Sequence, residues 1–253
     1  MEDDITYVLR KALRGHDLAP GEAAGRAGLA EGAVMGLLRG RFSETAARAL
    51  APVLGLGAEA LAHLPGYVPA PRNEPFLRQL DMPFHGGQVN AWLARGAEFT
   101  LLFDTGESPA TLAHALDAAG SPAVDAVFVT HSHPDHTGGL EETVRRGFRT
   151  ARMAAGESCR FGELTVRAFD LAGHCDGALG YLLDGLPAPV CVVGDALFAG
   201  SIGGCPDPVS YRTALANLRT HVLTLPDDTI LLPGHGPATT VGEERRHNPF
   251  FAP

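Results

Sequence analysis

Ten consecutive residues, Thr130 to Gly139, contain four side chains of the types that bind metal ions. They read THSHPDHTGG, and the four are His131, His133, Asp135 and His136. An apolar, β-branched run at 126–130 precedes them and predicts a buried strand about to end, and imidazoles at i and i+2 of a strand point to one face. An ordinary surface or core histidine does not explain this spacing, so the motif predicts a metal site.

Three further apolar runs end in a residue of a metal-binding type beside glycine: Gly173-His174, Gly194-Asp195 and Gly234-His235-Gly236. Glycine lets the chain turn sharply where a strand ends. We therefore expect these side chains to converge with the first motif on one rim of a sheet structure. Neutral imidazole and carboxylate bind Zn²⁺, Fe²⁺ or Mn²⁺ and leave coordination positions open for water.

Composition and charge narrow the class of protein. The 253 residues are 45% hydrophobic and 19% charged, as in ordinary globular proteins. No apolar run approaches the roughly 20 residues that span a bilayer, and the acidic start MEDDITYVLR is unlike a secretory signal, so we predict a cytoplasmic protein without membrane association. The four cysteines form no CxxC pair, which argues against a disulfide framework. The net charge of −9 gives no general attraction to nucleic acid.

Residues 1–64 predict a small all-α domain of five short helices, with Pro20 beginning the second and Ser43 capping the fourth. The order of helices resembles the helix-turn-helix domain of the Cro/repressor type, whose third helix enters the DNA major groove. The equivalent surface here consists of Glu31, Gly32, Ala33 and Gly36. These residues offer almost nothing to read base edges. We therefore expect a module that packs on the main domain or forms a homodimer, and we do not expect nucleic acid as a partner.

Four prolines mark a stiff linker over 65–75, and the pattern changes from Phe76. Short strands then outnumber helices and alternate with them irregularly, with a last strand at 229–232. This indicates two packed sheets with helices outside. The predicted organisation is a helical domain at 1–64, a linker at 65–75 and an α/β catalytic domain at 76–253.

From Phe76 onward, the ordered motifs, with Asn90 and Asp104-Thr105-Gly106, resemble the metallo-β-lactamase superfamily in its two-metal form. The resemblance implies a four-layer αββα sandwich and two divalent metal ions, zinc first, with iron or manganese as alternatives. Carried over residue by residue, it gives one metal His131, His133 and His174. It gives the second metal Asp135, His136 and His235, with Asp195 bridging both.

The same resemblance implies the chemistry of the site. It makes Asp135 and Asp195 the catalytic carboxylates, and it places Asp104 behind a ligand histidine, which it orients. Two cations about 3.5–4 Å apart hold a bridging hydroxide, lower its pKa and stabilise the oxyanion that forms on attack. No serine or cysteine nucleophile is then required.

Two C-terminal segments, GDALFAGSIGG and LPGHGPATTVGEERRHNPF, resemble the sequences of the glyoxalase II-like hydrolases, which cleave thioesters such as S-lactoylglutathione. Three features depart from that group: Gly204 and Cys205 replace Arg and Thr, the stretch 136–174 is short, and the chain stops at Pro253 without the extra helical domain that grips glutathione. The predicted function is a metal-dependent hydrolase that uses a metal-bound hydroxide on a small-molecule thioester.

Three alternatives stay open. Persulfide dioxygenases resemble the chain in GHCDGALGYLL and GDAL, and they use one iron held by the residues that match His131, His174 and Asp195. Lactone or phosphodiester hydrolysis is the second alternative, because one site of this type serves many substrates. The third is a DNA-binding regulator with a metal sensor domain, which rests on the N-terminal resemblance alone.

Overall fold

Side chains that alternate along the central strands divide the core into an inner layer and two outer layers. In the computed structural model, which describes all 253 residues, Leu101 and Phe103 pack in the inner layer and Leu102 faces the opposite way. Residues 190–193 alternate in the same manner. Because successive side chains of a strand point to opposite faces, a sheet that is buried on both faces needs apolar residues at every position. These strands meet that condition.

Two sheets face each other across the inner layer. The first sheet has the order β1-β2-β3-β4, and its strands are β1 (Leu77–Phe84), β2 (Gly87–Arg95), β3 (Thr100–Phe103) and β4 (Ala126–Phe128). The second sheet has the order β12-β11-β8-β7-β6-β5, and its strands are β5 (Ser158–Phe161), β6 (Leu164–Asp170), β7 (Leu179–Asp184), β8 (Val190–Gly194), β11 (Ile230–Pro233) and β12 (Thr239–Thr240). A separate hairpin pairs β9 (Leu197–Phe198) with β10 (Ser201–Ile202).

Helices cover both outer faces. Those that follow the first sheet's strands are α6 (Pro109–Ala118), α7 (Pro134–Thr137) and α8 (Leu140–Arg145), and α6 packs on the outer face of that sheet. The outer face of the second sheet is covered by α9 (Pro208–Asn217), which continues into a π-helical turn at Leu218–Val222, and by α10 (Val241–His247). This arrangement is the predicted four-layer αββα sandwich, and the prediction of fold class is confirmed.

Five helices precede the sheets: α1 (Ile5–Gly15), α2 (Pro20–Arg26), α3 (Glu31–Leu37), α4 (Glu44–Leu50) and α5 (Ala58–His63). One continuous hydrophobic cluster joins them to the outer face of the second sheet, with Leu9 and Leu37 in the same cluster as Leu231. Helix α1 approaches α9 so closely that a Cβ on Gly15 would lie 2.3 Å from the Tyr211 ring. The helical segment is thus packed on the sandwich, while the domain boundaries at 64 and 76 stay predictions. No helix has the length and apolar character to cross a bilayer.

One local prediction is wrong, and two elements of the structure were not predicted. The strand before the histidine motif ends at Phe128 instead of Thr130, because the Thr130 N–H donates to the Asp104 carboxylate (2.7 Å) and leaves the sheet ladder. Strand β1 was not predicted, because it has polar residues at its exposed positions and few buried apolar residues, so its alternating pattern is weak. Helix α10, which lies beyond the predicted last strand, carries mostly charged residues with no apolar stripe, and it begins where the Thr240 hydroxyl caps the Glu243 N–H.

Candidate metal centre

The loop after β4 carries the histidine motif to the rim of the sandwich. His131 and His133 lie in this loop, and α7 begins directly after His133 and brings Asp135 and His136 inward. The two glycines that follow are required by close backbone contact. A Cβ on Gly138 would lie 1.9 Å from the carbonyl oxygen of Glu107, and one on Gly139 would lie 2.1 Å from that of Thr105.

All seven predicted side chains come together in two adjacent groups, and within each group the donor atoms lie within 4.8 Å of one another. The first group is His131, His133 and His174, and the second is Asp135, His136, Asp195 and His235. In the first group, Nδ1 of His133 lies 3.1 Å from Nε2 of His131 and 3.1 Å from Nε2 of His174. Three imidazole nitrogens therefore face one point, and each such group could hold a metal ion.

Asp195 lies between the two groups. Its Oδ1 is 3.3 Å from Nε2 of His136, and its Oδ2 is 3.4 Å from Nε2 of His235. The same Oδ2 is 3.6 Å from Nε2 of His174, which belongs to the first group. One carboxylate thus reaches members of both groups, as its predicted bridging position requires.

Hydrogen bonds on the outer side of three rings fix their orientation. Nδ1 of His174 donates to the Gly204 carbonyl (2.7 Å), and Nδ1 of His235 donates to the Gln88 carbonyl (2.7 Å). Nδ1 of His136 lies 2.9 Å from Oδ2 of Asp104, in the role predicted for that aspartate. Because each partner accepts a hydrogen bond from Nδ1–H, each ring turns its Nε2 atom toward the group, which is the atom that a metal ion would bind.

Two buried polar atoms in the second group have no hydrogen-bond partner, Nε2 of His136 and Oδ1 of Asp195. Buried polar atoms almost always find a partner, so this pair requires an explanation. A divalent cation between them would satisfy both. The residues present therefore fit a metal ion of the type that the donor set favours.

The electrostatics of the two groups differ. Burial and the neighbouring His136 lower the pKa of His131 to about 4, so its imidazole is neutral at pH 7. Burial also lowers the pKa of His235, but contacts with Asp135 and Asp195 outweigh burial and raise that pKa to about 10. The pKa of His136 is raised against burial by Asp104 and Asp195. Without a cation, the second group therefore holds protons that a metal must displace.

We expect cation binding at the second group to release protons at pH 7 and to tighten as the pH rises toward about 10. The reason is that the raised pKa values of His136 and His235 keep these rings protonated, whereas a ligand must be neutral. Binding at the first group should depend less on pH, because burial lowers the pKa values of His131 and His174. Calorimetric titration of Zn²⁺ in buffers of different ionisation enthalpy measures the proton release. Equal affinity of the second group at about pH 6 and about pH 8, without proton release, would contradict this expectation.

Both groups open into a cavity of about 470 Å³ whose walls include residues that the motifs did not indicate. From the N-terminal segment they are Glu2, Asp3, Tyr7 and Lys11, and from elsewhere Phe84, His85, Gln88 and Phe198. His85 lines the cavity but lies in neither group. Of these lining residues, only Lys11 could have been singled out from the sequence, because it is the only lysine in the chain. Tyr181 is a core residue, buried and donating to the Val129 carbonyl.

Comparison with known proteins agrees with this architecture. The sequence profile of the metallo-beta-lactamase superfamily matches residues 85–166. The hydroxyacylglutathione hydrolase GloC of Haemophilus influenzae is 38% identical over 97 residues, which are 38% of this chain and 45% of that protein. The probable metallo-hydrolase YqgX of Bacillus subtilis is 29% identical over 205 residues, which are 67% of this chain and 95% of that protein. The match thus spans less than half of the first relative and almost all of the second.

Among solved structures, the BLEG-1 B3 metallo-beta-lactamase is similar, with a TM-score of 0.56 and 26% identity over 70% of this chain and 100% of that chain. The chain has the metallo-β-lactamase fold, and these matches support its place in that superfamily.

Proposed function

We propose that this chain, which has the metallo-β-lactamase fold, is a metal-dependent hydrolase that holds two divalent cations and cleaves a small-molecule thioester. The observation that carries the proposal is the convergence of the seven side chains in two adjacent groups, with Asp195 in contact with both. In this proposal the first cation is held by His131, His133 and His174. The second is held by Asp135, His136 and His235, and Asp195 is shared.

The residues of the chain prepare this site for two cations by orienting the ligand rings and by balancing the positive charge. A bound pair of divalent cations supplies, at neutral pH, a nucleophile from water and stabilises negative charge on the substrate's carbonyl oxygen. The partners at Nδ1 of His136, His174 and His235 hold the rings with Nε2 inward. Asp135 and Asp195, the two catalytic carboxylates of the proposal, line the cavity and balance the positive charge gathered there.

Two observations support a thioester as the substrate class. The match to GloC, a hydroxyacylglutathione hydrolase by name, covers 97 residues. The segments 194–204 and 232–250, whose sequences resemble the glyoxalase II-like hydrolases, supply Asp195 and His235 to the second group. Most of the residues that line the cavity beside them are polar or charged, which suits a substrate with hydrogen-bonding groups around the scissile bond.

The test is metal analysis of protein purified without added metal, followed by assays with thioester, lactone, phosphodiester and persulfide substrates. We expect two cations per chain, hydrolysis of a thioester, loss of activity with chelator and its return with metal. His131→Ala should lose the cation of the first group, whereas His114→Ala, an exposed histidine on α6, serves as the matched control and should keep both. Thioester hydrolysis that persists in metal-free protein would overturn the proposal.

A persulfide dioxygenase is the second candidate, because the three residues that match its iron ligands do lie together. Nε2 of His174 is 3.6 Å from Oδ2 of Asp195, and His131 belongs to the same group as His174. A single iron per chain, with oxygen uptake on glutathione persulfide and no thioester hydrolysis, would decide for this function. The complete second group of four donors is the reason that we place the two-metal hydrolase first.

A further inference from the structure

Helix α1 and the residues before it form one wall of the catalytic cavity. Glu2, Asp3, Tyr7 and Lys11 line the same space as His133, His174 and Asp195. The N-terminal segment is therefore close enough to affect the metal centre directly. Among its residues, Lys11 has contacts that lead to a predicted ligand.

Lys11 occupies a closely defined position. Its Nζ donates to the Ile202 carbonyl (2.7 Å) and forms an ion pair with Asp3. The two side chains are only 14% and 6% exposed, and Nζ lies 5.1 Å from the centre of the Phe198 ring. A buried ammonium group is costly unless its protons are matched by acceptors, so this lysine is held by its partners in one place.

The Ile202–Gly204 segment, which Lys11 contacts, lies against two predicted ligands. The Gly204 carbonyl accepts from Nδ1 of His174 (2.7 Å). A Cβ on Gly203 would lie 1.8 Å from the Asp195 carbonyl oxygen and 3.0 Å from the His174 side chain, so only glycine fits there. Cε of Lys11 is 3.9 Å from the corresponding Cβ position of Gly204. A shift of this segment would therefore turn the His174 ring.

We propose that Lys11 is a positioning residue for His174. It fixes the Ile202 carbonyl, and thereby the Gly204 carbonyl two residues later that sets the orientation of the imidazole. The helical segment is on this account part of the metal centre, although it supplies no ligand. The inference rests on the proposed function, because it assigns His174 to a cation.

The test compares Lys11→Met, Lys11→Arg and Arg10→Met in the full chain. Arg10 is the matched control, since it also donates to a carbonyl, that of Leu38, but within the helical segment. We expect Lys11→Met to weaken Zn²⁺ binding at the first group by about 10–100-fold, the range for loss of a partner that orients a ligand, and to shift the absorption bands of the Co²⁺-loaded protein. Lys11→Arg should retain the wild-type Zn²⁺ affinity and Co²⁺ spectrum, because a guanidinium can also donate to Ile202 and pair with Asp3. Arg10→Met should leave both unchanged.

Lys11→Met alone leaves the Asp3 carboxylate buried without its partner, which destabilises the fold. The double variant Lys11→Met/Asp3→Asn removes the charge and keeps the test valid. Unchanged Zn²⁺ affinity and Co²⁺ spectrum in the double variant would overturn the inference alone, as would equal losses in Arg10→Met. Wild-type protein that binds no cation would overturn the proposed function, and the inference with it.

Discussion

Replacement of Asp195 by alanine is expected to abolish tight binding of both cations and to reduce thioester hydrolysis by more than about 100-fold. Loss of a partner that only orients a ligand already costs about 10–100-fold, and Asp195 is itself a proposed ligand that is shared by two cations. Its two oxygens lie within 3.3–3.6 Å of His136, His235 and His174. No other carboxylate contacts both groups, so nothing replaces it. Metal content per chain and kcat/KM measure the two losses.

The control for this variant is Asp228→Ala, which removes an exposed carboxylate that belongs to neither group and should keep two cations and full activity. Circular dichroism separates loss of ligand from loss of fold. The pKa of Asp195 is held well below its usual range, against burial, by contacts with His136 and His235. An Asp195→Ala variant that folds and still binds two cations with wild-type affinity would contradict the assignment of this residue as the shared ligand.

The sequence was sufficient to predict the seven ligand candidates, because each stands at the end of an apolar run beside glycine or within one short motif. Strand ends bring such residues to one rim whatever the details of pairing. The central strands were predictable for a similar reason, since strands buried on both faces, such as 190–193, are apolar at every position. The half-buried strand β1 and the charged helix α10 have weaker patterns of apolar residues, and for that reason they were not predicted.

The partners that orient the ligands could not be predicted. The Gly204 and Gln88 carbonyls that accept from His174 and His235 are backbone groups, which every residue possesses, so no residue type marks them. The contact of Lys11 with Ile202 joins positions 191 residues apart. The packing partner of the helical segment could not be predicted either. The apolar stripes of this segment predict that it packs on something, but an apolar face does not specify which other face covers it.

The substitution Asp104→Asn replaces one carboxylate oxygen by an NH₂ group and should preserve the backbone. The φ of Asp104 is 61°, a conformation that asparagine tolerates better than most residues, so Asp104→Asn should keep the turn. One carboxylate oxygen accepts from the Thr130 N–H (2.7 Å). The other accepts from the Thr130 hydroxyl (2.8 Å) and from Nδ1 of His136 (2.9 Å). Asparagine can replace only one of these two acceptor oxygens.

We expect Asp104→Asn to weaken cation binding at the second group by about 10–100-fold, with a smaller effect at the first. If the amide oxygen stays on the Thr130 N–H, the amide NH₂ faces His136, and Nδ1 must then become an acceptor. The imidazole proton moves to Nε2, which points into the second group and can no longer bind a cation. Stepwise titration with Zn²⁺ against a chelator distinguishes the two groups. Asp125→Asn is the matched control, because that exposed carboxylate also accepts a backbone N–H, that of Thr100 (2.8 Å). Equal weakening in the two variants would show that the loss does not pass through His136.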